Sequence, residues 1–276
     1  MPSVAIMPNE GELKFLDMLR AGTGTANVNL VQYVNNVSLA AGTVWADLTE
    51  AGYKGYSRIS LSGLFGAAAM SGGYAVSACA QQTFAYNSGS GGNASETVYG
   101  HAVTFNSGGT NKILYAVSLA TPQLMAADGY TIKPTPKFKW KGASGSDATF
   151  PDEGLKRLLD MWRAGTTLNT NARESLFKSA TTPGSATALG DLTKADFSGY
   201  ADVTPTFGSP ADDSGAAKSV AGAADFTLSS GSQTIHGRYT WDNAGTKLLW
   251  LYAVDQALAA AGDKVTVTDN LRLASA

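Results

Sequence analysis

The chain of 276 residues is written twice. Residues 8–23 read Pro-Asn-Glu-Gly-Glu-Leu-Lys-Phe-Leu-Asp-Met-Leu-Arg-Ala-Gly-Thr, and residues 151–166 read Pro-Asp-Glu-Gly-Leu-Lys-Arg-Leu-Leu-Asp-Met-Trp-Arg-Ala-Gly-Thr. Ten of the sixteen positions are identical without a gap, where average composition supplies about one. The pairing resumes at Asp47-Leu48-Thr49-Glu50-Ala51-Gly52-Tyr53-Lys54-Gly55-Tyr56. Its counterpart is Asp191-Leu192-Thr193-Lys194-Ala195-Asp196-Phe197-Ser198-Gly199-Tyr200, with six identities in ten. Weaker but ordered matches follow. Tyr99-Gly100-His101 stands against His236-Gly237-Arg238, Lys112–Tyr115 against Lys247–Trp250, and Phe138 and Trp140 against Leu271 and Leu273. Whatever this chain folds into must therefore be made by roughly half its length and made twice. The boundary falls in a Gly/Ser/Ala/Asp stretch with linker composition. The expected organisation is a first module over 1–140, a linker over 141–150 and a duplicate over 151–276.

Each copy opens with a predicted short helix. Asn9 is placed as its N-cap, with Glu12 three residues on as in a capping box, and Gly22 closes it. In the second copy Asp152 is the cap and Gly165 the stop. Leu13, Phe15, Leu16 and Leu19, and then Leu155, Leu158, Leu159 and Trp162, form an apolar stripe at helical spacing. The remainder reads as short strands: 28–34, 56–61, 73–79, 97–105, 113–119 and 130–140, then 225–228, 233–241, 248–254 and 264–273. Turn-rich stretches at 106–111 and 242–246 separate them. Many short strands with Gly/Ser turns predict a mainly β chain of two tandem antiparallel β-sandwich, jelly-roll-like domains. A parallel α/β fold needs a helix between most strands, and no such helical periods are present.

Composition bounds the chemistry. Hydrophobic residues are 44% of the chain, enough for a buried core, while charged residues are 15% and the net charge is −2. So weak a field does not attract phosphates, which argues against charge-driven nucleic-acid binding. Cys79 is the single cysteine, so neither an internal disulfide nor a multi-cysteine metal cluster forms. The first residues carry no basic segment followed by an apolar one, so no secretory signal is expected. No apolar run reaches about 20 residues; the longest, Leu248–Ala261, is broken by Asp255 and Gln256. No membrane association follows.

The nucleotide-binding Gly-Lys-Ser/Thr loop and the Gly-x-Ser-x-Gly elbow are both missing. His101 and His236 fall at different repeat positions, so neither is an inherited catalytic group, and both read as strand histidines. Asp17 and Asp160 recur, each within reach of an arginine three residues on (Arg20, Arg163), and read as local ion pairs that also anchor a neighbouring strand. Asp47 and Asp191 stabilise turns. Asp212-Asp213 lacks calcium-loop spacing. Asn36-Val37-Ser38 and Asn93-Ala94-Ser95 match glycosylation sequons by form alone. Cys79 packs as a small apolar residue. Tyr53, Tyr56, Phe197 and Tyr200, with Trp140, Trp162, Trp241 and Trp250, read as core and corner packing. Gly55 and Gly199 mark a close approach or a positive φ. No catalytic, cofactor-binding or metal-binding residue is nominated, no cofactor is expected, and the binding residues are left unknown.

The motif Pro-Asn/Asp-Glu-Gly-x-x-x-x-Leu-Asp-Met, followed by Asp-Leu-Thr-x-Ala-x-Tyr/Phe-x-Gly-Tyr, resembles a module of tailed-bacteriophage virion proteins, small β-rich accessories of the capsid cement or decoration type. The two copies depart from it at Gly52 and at Leu155, which stands where Glu12 does in the first, both expected at exposed sites. The resemblance implies a non-enzymatic structural protein on the outer surface of the phage head. There it would bridge major capsid protein subunits, as a homo-oligomer; loops 62–73 and 206–224 differ most between the copies, as expected if the two modules touch non-identical neighbours. The alternatives are a tail fibre, spike or baseplate component binding a host surface, and a polysaccharide hydrolase using paired carboxylates such as Asp17, Asp160, Asp212 and Asp213.

Overall fold

The computed structural model describes residues 5–25, 27–107, 110–140, 148–213, 216–244 and 246–273. It is mainly β, with 43% strand and 12% helix, and every pairing between its named strands is antiparallel. The first half runs β1 (Ala5–Ile6), α1 (Asn9–Ala21), β2 (Val28–Tyr33), β3 (Ile59–Ser60), β4 (Ala69–Ser71) and β5 (Tyr74–Ala78). It continues through β6 (Phe84–Ala85), β7 (Glu96–Ser107), β8 (Thr110–Met125), β9 (Thr131–Ile132) and β10 (Lys137–Trp140). The second half runs β11 (Ala148–Thr149), α2 (Asp152–Ala164), α3 (Leu168–Asn171), β12 (Ala172–Phe177), β13 (Ala211–Asp212) and β14 (Ala217–Val220). It ends with β15 (Ala224–Thr227), β16 (Gln233–Asp242), β17 (Lys247–Leu258), β18 (Lys264–Val267) and β19 (Asn270–Leu273).

The strand order repeats. A large sheet β1-β8-β7-β2-β3 in the first half answers β11-β17-β16-β12 in the second. A three-stranded sheet β10-β5-β4 answers β19-β14-β13, and the pair β6-β9 answers β15-β18. Register fixes the equivalences: Tyr33 lies opposite Gly100 as Phe177 lies opposite Gly237. His101 therefore corresponds to Arg238. These two glycines are obligatory, because a Cβ on Gly100 would lie 2.2 Å from Val117 O and one on Gly237 would lie 2.2 Å from Tyr252 O.

Each helix lies against its own large sheet at a glycine. A Cβ on Gly11 would sit 2.3 Å from Leu114 O, and one on Gly154 would sit 2.1 Å from Leu249 O. Each helix then reaches across to the other half: α1 packs against β13 and β14, and α2 against β4 and β5. The helix ends meet through Gly22, Gly24 and Gly165, with a Cβ on Gly24 placed 2.8 Å from the Gly165 Cα. Around this crossing Trp162 stacks on Phe15 at 5.2 Å and meets Phe138 at 4.5 Å and Phe65 at 5.3 Å. The largest core cluster accordingly draws on both halves, from Phe15, Phe65 and Phe138 to Trp162, Phe207 and Trp250.

Several expectations are corrected. The helices begin at Asn9 and Asp152, and the residues at their caps are Pro8 and Pro151, with no side-chain cap hydrogen bond; proline's fixed φ sets the entry angle in place of a polar cap. The stops hold, with Gly22 and Gly165 both left-handed at φ 69°. Glu12, at a position expected to be exposed, is buried, and Leu155 at the matching position is buried with the apolar stripe on which it stands. Part of the anticipated linker is β11, paired to β17, while 141–147 lies outside the described residues. The 206–224 stretch is not a loop throughout, since it contains β13 and β14. In the second half, β12 and β14 were not anticipated from the sequence.

Candidate functional site

The ionisable residues singled out by sequence do not converge. Asp17 pairs with Lys14 at 3.0 Å, three residues before it, and the side chains of Arg20 and Arg163 lie outside those described. Asp160 accepts a hydrogen bond from Ala68 N of the opposite half at 2.9 Å, so one of the two recurring helix carboxylates ties the halves together. Asp213 pairs with Arg272 at 3.1 Å, and Asp212 lies in β13. Asp47 and Asp191 each accept from a backbone N–H three residues earlier, Val44 and Ala188, at 2.8 Å. His236 Nδ1 contacts Asp255 at 2.8 Å on the surface. The His101 ring is mostly enclosed, although its outer edge reaches solvent, and its Nδ1 is buried without a partner. Burial pulls its pKa down to about 4. The Cys79 thiol is buried in the core and raised to about 11 by desolvation.

The recurring aromatics form two matching corners. The Tyr56 hydroxyl accepts from Gln32 N and donates to Glu50; the Tyr200 hydroxyl accepts from Leu176 N and donates to Asp202. Gly55 and Gly199 sit at φ +86° and +92°, which permits the turn. Burial raises both phenols well above the ordinary tyrosine range. Glu50 forms a fork with Arg58 at 2.7 and 2.5 Å, while the equivalent positions hold Lys194 and Asp202 at 2.5 Å, the same pair with its charges exchanged. These contacts brace a turn.

The densest ionisable cluster is one that the sequence pattern did not flag. Glu174 on β12 and Asp269 before β19 are both fully enclosed, and Arg238 on β16 reaches them at 3.4 and 3.5 Å. Thr240 Oγ1 donates to Asp269 at 2.5 Å and Trp250 Nε1 at 3.2 Å, while Arg238 stacks 4.0 Å over the Tyr252 ring and donates to Thr268 O. Burial, reinforced by the neighbouring carboxylate, raises Glu174, and burial raises Asp269. Two enclosed carboxyl groups facing one guanidinium disfavour carrying both negative charges, so both bind a proton more readily than in water. The first half offers Leu30, His101, Val103, Tyr115, Val117 and Pro136 at these places. The signal available in sequence was the breach of strand alternation by Glu174, visible only after the repeat is aligned through β2 and β12.

The outward surfaces differ in kind. In the first small sheet Ala75, Ser77, Phe138 and Trp140 face the core, leaving Val76, Ala78, Lys137 and Lys139 outward. In the second, Ala217, Ser219 and Leu271 face inward, leaving Lys218, Val220, Asn270 and Arg272 outward. Ser77 and Ser219 each donate to the loop carbonyl of Gly66 or Gly208 at 2.7 Å, tying the variable loops to the sheet in the same way. Among the described residues no three metal-ligating side chains converge, and no helix is long and apolar enough to cross a membrane. A void of about 10 Å³, beside Phe15, Phe138, Trp140 and Leu159, has room for about one water. No family model, curated protein or solved structure matches the chain.

Proposed function

We propose that this chain is a non-enzymatic structural protein of a tailed-bacteriophage particle, a cement or decoration protein that bridges major capsid protein subunits on the head. In this reading the two copies are tandem β-sandwich modules that present two related outward faces. The observation carrying it is the exchange of helices across the shared core, which fixes those faces relative to one another. A bridge between neighbouring capsomers needs two contact surfaces at a set spacing, and a rigid double-headed body gains avidity from engaging both at once. The exposed side chains of Leu64 in the first half and Val220 in the second stand on or beside those faces. The charge-exchanged pair and the ionic cluster serve the fold in this reading, and no reaction is assigned to them.

Imaging of the intact particle by electron cryomicroscopy tests the proposal. Density for this chain at capsomer boundaries is the expected result. Density confined to the tail or baseplate replaces the reading with host-surface binding, and particles lacking the chain altogether overturn both.

A further inference from the structure

From Thr131 to Trp140 the chain alternates strictly between exposed and buried residues. Every second side chain therefore points outward, and three of those are Lys133, Lys137 and Lys139. The segment is held straight by Ile132 and Phe138 pairing with Phe84 and Ser77, and by Gln82 N and Cys79 N donating to the Pro134 and Pro136 carbonyls at 2.9 Å. At about 3.3 Å per residue, Lys137 and Lys139 stand about 6.6 Å apart and Lys133 about 13 Å from Lys137. Among the described residues none of the three has a carboxylate within ion-pair distance.

We infer that this lysine strip is a docking edge for an acidic protein surface whose carboxylates are spaced along an extended segment. The inference rests on the structural-protein reading above and names the chemistry of one contact. The second half supplies an internal comparison. There Lys133, Lys137 and Lys139 are answered by Thr266, Asn270 and Arg272, with Thr266 bonded to Asp225 and Arg272 paired with Asp213 at 3.1 Å. The same edge is thus neutral in one copy and uncompensated in the other, so its protection from strand addition does not require net positive charge. Backbone augmentation is also closed to a partner from Pro134 to Lys137. Pro134 and Pro136 have no N–H, and Lys137 N already donates to the Tyr115 hydroxyl at 2.9 Å. What remains for recognition is the row of ammonium groups. Three cations on a chain of net charge −2 are too few to hold a nucleic acid by counterion release, but their spacing matches carboxylates at alternate residues of an extended chain.

The test is fluorescence anisotropy with the full chain. The probe is a labelled peptide of roughly a dozen residues alternating Glu and Thr, with a Gln/Thr peptide and a thymidine oligonucleotide of similar length as comparators. The peptide binds at ~25 mM salt and weakens about tenfold towards ~300 mM. K133Q/K137Q/K139Q, with unchanged circular dichroism and melting, loses about tenfold in affinity. K218Q/R272Q changes it less than about twofold. Absence of wild-type binding at low salt, equal binding by the triple variant, or equal or tighter binding of the oligonucleotide overturns the inference. Occupancy on purified particles separates the two readings. Heads decorated equally by the wild-type and triple-variant chains reject the lysine strip and leave the cement reading standing, whereas heads bare of the wild-type chain reject the cement reading itself.

Discussion

The two halves repeat one strand order around different interiors. Beside the large sheet the second half encloses Glu174, Thr240, Tyr252 and Asp269 around a partly exposed Arg238, where the first places Leu30, Val103, Val117 and Pro136 around His101. One cluster is ionic and hydrogen-bonded; its counterpart is apolar apart from one neutral imidazole and the Tyr115 hydroxyl, which accepts from Lys137 N. Positions that touch backbone behave in the opposite way. Gly11 and Gly154, Gly100 and Gly237, and Gly55 and Gly199 are retained in both halves. Most of them abut a carbonyl oxygen or backbone atom that has no rotamer through which to retreat. Side-chain partners can exchange jointly. A glycine pressed on a main chain has no such alternative.

The glycines give the largest expected effect. Gly154→Ala places a methyl 2.1 Å from Leu249 O, and Gly11→Ala places one 2.3 Å from Leu114 O. Either forces its helix off its sheet and, because that helix also packs on the other half, disturbs both. A loss of about 3 kcal/mol or more is expected for each, read as urea midpoints. Gly42→Ala, with nothing near its added methyl, is the control and shifts the midpoint by less than about 0.5 kcal/mol. If the Gly154 and Gly11 variants melt like the control, the helices are not fixed by these contacts.

Much of the architecture was legible because the repeat and strand alternation are local signals. The helix stops at Gly22 and Gly165, the corners at Tyr56 and Tyr200, and most long strands follow from spacing and turn chemistry alone. The exchange of helices was not legible. Phe15 and Trp162 stand on stripes that predict burial, but a stripe does not say which sheet covers it. The cap assignment failed because Pro8 starts the helix with its fixed φ one residue earlier than polar Asn9 suggests. β12 was missed because Arg-Glu-Ser interrupts its apolar pattern; of these residues Glu174 joins the cluster around Arg238, while Ser175 bonds Asp202 and Trp241. The repeat and the turns mark where the chain bends; which polar side chains are drawn inside depends on partners that are distant in sequence.

The ionic cluster and its apolar counterpart are separated by mutation and by pH. Arg238→Leu leaves two enclosed carboxyl groups without their cation and loses about 3 kcal/mol. Adding Glu174→Leu and Asp269→Asn to it regains most of that loss, as removal of a whole buried ionic set commonly does. His101→Leu in the first half is close to neutral. The pH dependences have opposite directions. Glu174 binds its proton more tightly folded than unfolded, so its contribution is complete below about pH 4.3 and is lost as pH rises through its raised folded value. His101, held down to about 4, favours the fold above about pH 6.5 and loses that contribution as pH falls towards 4. Glu174→Gln therefore flattens the alkaline limb of the stability curve and His101→Leu the acid limb. Amide hydrogen exchange resolved to β12 and β16 against β2 and β7 locates each effect. Both limbs changing in the same half contradicts the assignment.

The exchanged charge pair gives the smallest effect and the sharpest test of equivalence. Glu50 and Arg58 occupy the corner where the second half has Lys194 and Asp202. Both pairs are partly exposed, so each contributes about 0.5–1 kcal/mol beyond its single-residue effects. Glu50→Lys alone sets two cations side by side and removes the carboxylate that accepts from the Tyr56 hydroxyl; a loss of about 1 kcal/mol follows. Arg58→Asp alone sets two carboxylates together with a similar loss. Making both changes installs the second half's arrangement, with the new aspartate in the place from which Asp202 accepts the Tyr200 hydroxyl. The double variant is then closer to wild type than the sum of the singles, with a coupling energy of about 1 kcal/mol in a double-mutant cycle. Simple additivity would mean that the corners share an outline but not an interaction, and the internal comparison would then extend to the backbone alone.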